Sequence, residues 1–278
     1  MRELTDKPLL VEIKPGRKWL NFDLLELWTY RELVYFLTWR EIKIRYKQTA
    51  IGVFWAILQP VLTTVIFTAI FSQFARFDTS QVPYALFALS GLLVWLYINS
   101  AVSNASMSLV SNTPLVTKVY IPRVILPLSM VLSGLVDLLI GLIILFCVLP
   151  FFGIIPTWQT LLAPLFIIQS VFLALSFGIL FAALNVRFRD VKHALPFLLQ
   201  VWMFMSPVFY PVDMLPANYR WLFSLNPMYG ILQGFRASVI GGDFHWRAII
   251  ISIGVTFLLL VFSLFIFKKM EEDFADII

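Results

Sequence analysis

Residues 124–149 read VILPLSMVLSGLVDLLIGLIILFCVL, 26 residues that carry a single charge, Asp137. A helix of that length rises about 39 Å, more than the roughly 30 Å of a bilayer's hydrocarbon core. Five other stretches share this character: 51–74, 84–107, 159–184, 195–210 and 248–267, with 195–210 the shortest. The whole composition agrees. Apolar residues make up 60% of the 278 and charged ones 13%, against about 45–50% and about 25% in soluble domains. A soluble core cannot absorb that surplus, so the solvent for much of the surface is lipid. With 27 Phe, 12 Gly and one cysteine, Cys147, the chain is not disordered, collagen-like or disulfide-stapled.

The expected fold is therefore an all-α integral membrane protein of six transmembrane helices. The chain divides into a cytoplasmic segment (1–22), an amphipathic interfacial helix (23–48), the six-span domain (49–267) and a cytoplasmic tail (268–278). Within the domain, 211–246 is too proline-broken for a span and too aromatic for an exposed loop, which reads as a re-entrant segment on the outer side. Basic residues set the orientation: 17 of the 21 Lys and Arg fall on one side if both termini are cytoplasmic. Basic residues beside apolar runs are topological, so the net charge of +5 does not imply nucleic acid. No charged start followed by a short apolar core and a cleavage site is present, and the first span is expected to be retained.

Asp23 and Glu26 form a possible capping box ahead of a helical pattern. Leu24, Trp28, Tyr35, Trp39, Ile42 and Tyr46 fall on one stripe, with Arg40, Lys43, Arg45 and Lys47 off it. Such a helix either lies flat on the membrane or packs on the bundle; both readings put it at the cytoplasmic interface.

Catalytic constellations are missing. His193 and His245 fall on opposite sides of the membrane in this topology, no metal set is expected, and no Gly is followed by Lys, so there is no phosphate loop. ATP and magnesium, where used, belong to another polypeptide. Asp137 is either a pathway or gating residue or an Asp hydrogen-bonded inside the bundle; no basic partner is expected at its depth anywhere in the sequence, which argues against a carrier built on an ion pair. Ala174, Gly178 and Ala182, and likewise Gly230 and Gly234, have the spacing of close helix contacts, whether within the chain or between copies.

Several segments together resemble one family. Arg45-Tyr46-Lys47-Gln48-Thr49, Gly52, Trp55 and Gln59-Pro60 lead into the first span. Ser206-Pro207-Val208-Phe209-Tyr210-Pro211, Asn226-Pro227-Met228-Tyr229 and Gly234-Phe235-Arg236 mark the end. The combination looks like the permease subunit of polysaccharide-exporting ATP-binding-cassette transporters, the O-antigen and surface-glycan type whose relatives export capsule and teichoic acid. The resemblance implies a bacterial inner-membrane homodimer with two copies of a separate ATPase, exporting a polyprenyl-diphosphate-linked glycan. It also implies two short outer re-entrant helices, near 217–225 and 227–240, with Pro216, Tyr219, Pro227, Met228 and Arg236 as the outer gate.

Further site expectations follow from that resemblance. ATPase contacts fall to Glu41, Arg45, Thr113, Lys118, Arg123, Arg187, Arg189 and Asp190, although any cytoplasmic loop is basic. The lipid diphosphate would meet Arg40, Lys43, Arg45 and Lys47. Trp95, Tyr97, Trp202, Phe204, Phe209, Tyr210 and Trp221 are candidates to line a glycan channel, or else interface anchors. The rival readings are a same-fold exporter of a small lipophile or drug, and a multi-span lipid-linked glycosyl- or acyltransferase. The latter needs a catalytic His or a carboxylate pair at one interface, and neither His193, His245 nor the isolated acids supply one.

Overall fold

The computed structural model describes residues 28–47, 52–73, 82–212, 217–272 and 274. The N-terminal segment 1–22, the Asp23/Glu26 pair, Pro216 and the side chain of Tyr219 lie outside the described residues. The helices are α1 (Arg31–Lys47), α2 (Gly52–Gln73), α3 (Tyr84–Ser111), α4 (Thr113–Lys118), α5 (Ile125–Ser133), α6 (Leu135–Val148), α7 (Ala163–Arg187), α8 (Val191–Phe204), α9 (Ala217–Ser224), α10 (Pro227–Val239) and α11 (Trp246–Glu271). Two 3-10 turns, Leu149–Phe152 and Trp158–Leu162, join α6 to α7. No strand occurs among the described residues.

Among the described residues, five helical segments are long and apolar enough to cross a membrane: Phe54–Phe71, Tyr84–Ser111, Ile125–Phe152, Trp158–Arg187 and Trp246–Glu271. The stretch expected as a fifth span at 195–210 is different. It is the 14-residue α8, about 21 Å long and short of the hydrocarbon core. The chain leaves the helix at Met205 because Ser206 precedes Pro207, and a residue before proline is pushed away from helical geometry. The quoted 124–149 run forms α5 and α6 with only a slight break at Gly134, whose N–H still donates to the Met130 carbonyl while its own carbonyl accepts from Leu138.

The core is centred on α3, most of which is buried; it packs against α2, α5, α6, α7, α8 and α10. Small residues permit this. A Cβ on Gly178 would lie 2.7 Å from that of Ala105, and Ala174 and Ala182 are fully buried. The small-residue stripe of α7 is thus occupied inside the chain by α3, not left free for a second copy. Gly230 and Gly234 are used likewise, against Ser252 of α11 and Phe166 of α7. Serines inside the helices return their hydroxyls to backbone carbonyls, as Ser129 to Leu126 and Ser170 to Ile167, which satisfies them where water is absent.

By contrast α2 and α11 are mostly exposed. Val65, Ile66 and Ile70 on one, and Phe257, Leu258 and Phe262 on the other, face outward, a surface that water does not tolerate at this extent. Most of the described basic residues gather at one end of the bundle, with α1, α4, the Arg187–Asp190 turn, Lys268 and Lys269; α9, α10 with Arg236, and the 3-10 turns occupy the other. Arg123 ties the basic end together, donating to the Glu271 carbonyl and lying over the Phe274 ring.

Helix α1 packs on α5 through Leu33, Val34 and the buried Leu37, so the bundle-packing alternative describes this face. The expected aromatic stripe turns the other way: Trp28, Tyr35 and Trp39 are exposed. An apolar stripe can meet lipid as well as protein, and periodicity alone does not say which.

Candidate functional site

Polar side chains from four helices meet at the C-terminal end of α1. Arg45 forms an ion pair with Asp137 of α6, and the Tyr46 hydroxyl donates to the other oxygen of the same carboxylate. Burial, and after it the bond to Asp137, hold the Tyr46 phenol above its ordinary value, so it remains a donor. The expectation that Asp137 has no basic partner at its depth is thereby corrected. The partner comes from outside the spans, because α1 runs along α5 far enough for the long Arg45 side chain to reach α6. Both members of the pair remain partly exposed to a cavity of about 400 Å³ whose lining includes Trp55, Gln59, Tyr97, Asn99 and Asn104.

Of the four basic residues expected to meet a diphosphate, Arg40, Lys43 and Lys47 line one open groove, whereas Arg45 lines the separate cavity. Arg40 is bonded to Glu41 at 2.6 Å and to Asn112 Oδ1 at 2.7 Å, which ties α1 to the α3–α4 junction. Arg45 faces the cavity. Arg40, Lys43 and Lys47 border the open groove with Tyr35, Phe36 and Trp39, and the Lys43 ammonium lies 5.5 Å from the Trp39 ring centroid.

At the far end, α10 carries Arg236 with its side chain fully enclosed. Its guanidinium donates to the carbonyls of Pro207 (2.7 Å), Val208 and Phe87, and lies 3.6 Å over the Phe87 ring. Gly91 makes the room, since a Cβ there would stand 2.3 Å from both Arg236 Nη2 and the Val208 carbonyl oxygen. Tyr84 adds a bond to the Phe209 carbonyl at 2.6 Å. The Ser206-Pro207-Val208-Phe209 segment is therefore held on α3 by an arginine and a tyrosine that satisfy its non-helical carbonyls.

Asn226 performs the matching task at the start of α10. Its Oδ1 caps the helix by accepting from the Met228 N–H and also accepts from Trp202 Nε1, both at 3.1 Å. Its Nδ2 donates to Met205 O at 3.2 Å and Ser206 Oγ at 2.9 Å. Pro227 occupies the first helical turn, where its missing N–H costs nothing, and its carbonyl accepts from Ser252, which Gln169 also bonds at 2.7 Å. Met228 is buried beneath.

The sequence matches the ABC-2 type transporter family over residues 32–240. The chain belongs to that family. Among similar proteins, the O-antigen export system permease protein RfbA of Klebsiella pneumoniae is 28% identical over 249 residues, 89% of this chain and 95% of that one. RfbA of Myxococcus xanthus is 28% identical over 254 residues, 90% and 97% of the two chains. The polysialic acid transport protein KpsM of Escherichia coli is 24% identical over 218 residues, 73% and 79%.

As an ABC-2 family member the chain is a multi-pass membrane transport subunit and not itself an enzyme. No metal-binding cluster is found among the described residues, and His193 and His245 stand at opposite ends of the bundle. Of the aromatic candidates in this ABC-2 chain, Trp95, Tyr97 and Phe209 are buried within the protomer. Trp95 meets Trp202 edge-on at 5.6 Å, and Phe209 sits among Phe67, Phe71, Phe204 and Tyr210. Phe204 and Trp221 are open to the surroundings. Tyr97 borders the inner cavity, packs its ring against Gly134 and donates to the Val131 carbonyl.

Of the residues expected at the ATPase interface, Lys118, Arg187, Arg189 and Asp190 are exposed, Glu41 is held by Arg40, Thr113 opens α4, and Arg123 is anchored to Glu271. Within the expected 113–123 connection, Val119 and Tyr120, which the sequence did not single out, protrude beyond α4, with Tyr120 72% exposed.

Proposed function

We propose that this chain is the membrane permease of an ATP-driven exporter that carries a polyprenyl-diphosphate-linked surface polysaccharide out of the bacterial cytoplasm. The observation that carries the reading is end-to-end similarity to permeases named for O-antigen export, with polysialic acid and capsule permeases as further relatives. Two copies pair, and two copies of a separate ATPase bind their cytoplasmic ends. Both termini are cytoplasmic, as the basic end of the bundle favours. α8 and the arginine-held segment after it together make the fifth passage, and α9 and α10 are outer re-entrant helices. Irregular backbone at that depth is tolerated because Arg236, Tyr84 and Asn226 satisfy it.

In this reading α4 with Val119 and Tyr120 docks on the ATPase, and α9 to α10 close the outer mouth. Exposed Phe204 and Trp221 present rings to the moving glycan. The test is deletion of the gene in its host with the glycan-synthesis genes left intact. Lipid-linked polymer accumulating on the cytoplasmic side, with surface polymer restored by the intact gene, is the expected result. Normal surface polymer after deletion would overturn the assignment.

A further inference from the structure

The cavity at the end of α1 holds more polar groups than its packing uses. Gln59 of α2 and Asn99 of α3 line it, and neither side-chain amide hydrogen-bonds to another described residue. Asn104 is bonded to Ser100 at 3.2 Å and also faces it. Polar side chains on otherwise apolar spans carry a real insertion cost, and convergence of several on one space is not a by-product of packing. Its volume of about 400 Å³ lies in the range of ligand sites.

The charge within it discriminates between ligands. Arg45 and Asp137 are the charged residues among those lining the cavity, and they face each other as an ion pair. The pair is neutral in sum, so the cavity offers no net attraction to a diphosphate, whose charge would need uncompensated cations. What it offers is a carboxylate, a guanidinium, a phenol and carboxamides, which donate to and accept from hydroxyls. Beside them stand the rings of Trp55 and Tyr97, suited to the C–H face of a pyranose.

We infer that the cavity bounded by Gln59, Asn99, Arg45 and Asp137 is a binding subsite for a neutral sugar unit, resting on the glycan-export reading above. It recognises the glycan by its hydroxyls, apart from any contact with the lipid diphosphate.

The test uses the complete permease–ATPase complex purified into nanodiscs. The probe is the repeating-unit oligosaccharide released from the host's own surface polymer by mild acid and tritium-labelled at its reducing end. Gln59→Ala and Asn99→Ala are the variants, because each truncates an amide that bonds no described neighbour and should leave the fold alone. Membrane level and ATPase co-purification check this directly.

The expected result is saturable binding to the wild type, weakened about tenfold or more in each variant, and no displacement by inorganic diphosphate. Equal binding by wild type and both variants would overturn the subsite, as would displacement of the oligosaccharide by inorganic diphosphate. Complementation of the deletion strain is read in parallel. If the wild-type gene restores surface polymer while the variants bind normally, the subsite fails and the exporter reading stands. If the gene has no effect on surface polymer, the exporter reading fails and takes the subsite with it.

Discussion

The Arg236 guanidinium lies 3.6 Å over the ring of Phe87 while donating to the Phe87 carbonyl of the same residue at 3.1 Å. One side chain of α10 thus grips both the ring and the backbone of α3, and with its other nitrogen holds Pro207. With no carboxylate beside it among the described residues, this buried cation is sustained by carbonyl dipoles and a ring face, both directed at one planar group.

Gly91 is the space in which that happens. A Cβ would collide with the Val208 carbonyl, which is backbone and cannot swing away, as well as with Arg236. Gly91→Ala should destabilise the purified protein by about 1–3 kcal/mol, and Arg236→Gln by about 2–4 kcal/mol through lost charge-assisted bonds. Because both act on one contact, the double variant should cost clearly less than the sum of the two. Thermal unfolding in detergent measures all three, and full additivity would show that the two residues act separately.

Asn226 separates helix capping from tertiary locking. At an ordinary N-cap, Asp and Asn are about equal. Here Nδ2 donates to Met205 O and Ser206 Oγ, and a carboxylate would put a second acceptor against the Met205 carbonyl. Asn226→Asp should therefore lower the melting temperature at least as much as Asn226→Ser, although as caps alone the two are about equal. Indifference to Asp would reduce Asn226 to a cap alone.

The long apolar helices were legible because a run such as 163–187 needs nothing beyond its own composition to declare itself. The Pro227 start of α10 was legible for an equally local reason, a proline whose N–H is not missed. The Arg45–Asp137 pair was not, since it spans 92 positions and depends on how far α1 climbs along α5. Hydropathy assigns depth only to residues inside a span, so a cation delivered by a neighbouring helix stayed invisible. The Trp28, Tyr35 and Trp39 stripe was seen, but its side was not, because Leu33, Val34 and Leu37 make a second apolar face that packs instead. Arg236 stood out as a gate residue by resemblance, whereas its grip on Phe87, Pro207 and Val208 is purely tertiary.

Tyr120 gives a test of coupling that leaves the bundle alone. It is 72% exposed and has no core contact to lose, so Tyr120→Asp should not change the melting temperature by more than the roughly 0.5 kcal/mol typical of surface changes. If α4 and its extension dock on the ATPase, a charge at this position should reduce co-purification of that subunit or its transport-linked hydrolysis several-fold. Unchanged co-purification and export would move the docking surface elsewhere on the basic end.

The ion pair at the end of α1 predicts a pattern across three variants. Asp137→Asn leaves Arg45 facing a neutral amide in a partly enclosed site, and Arg45→Gln leaves the carboxylate with the Tyr46 hydroxyl alone among these partners. Removing one member of such a pair costs more than removing both, because the stranded charge keeps its desolvation penalty. Both groups are partly exposed to the cavity, so solvent screening moderates the effect. The double variant Arg45→Gln/Asp137→Asn should therefore accumulate in the membrane at a higher level than either single variant. Tyr46→Phe, which removes one hydrogen bond to the carboxylate, should cost only about 0.5–1.5 kcal/mol. Membrane level and melting temperature measured together decide it. A double variant worse than both singles would mean that the two residues serve separate partners and that the pair is incidental.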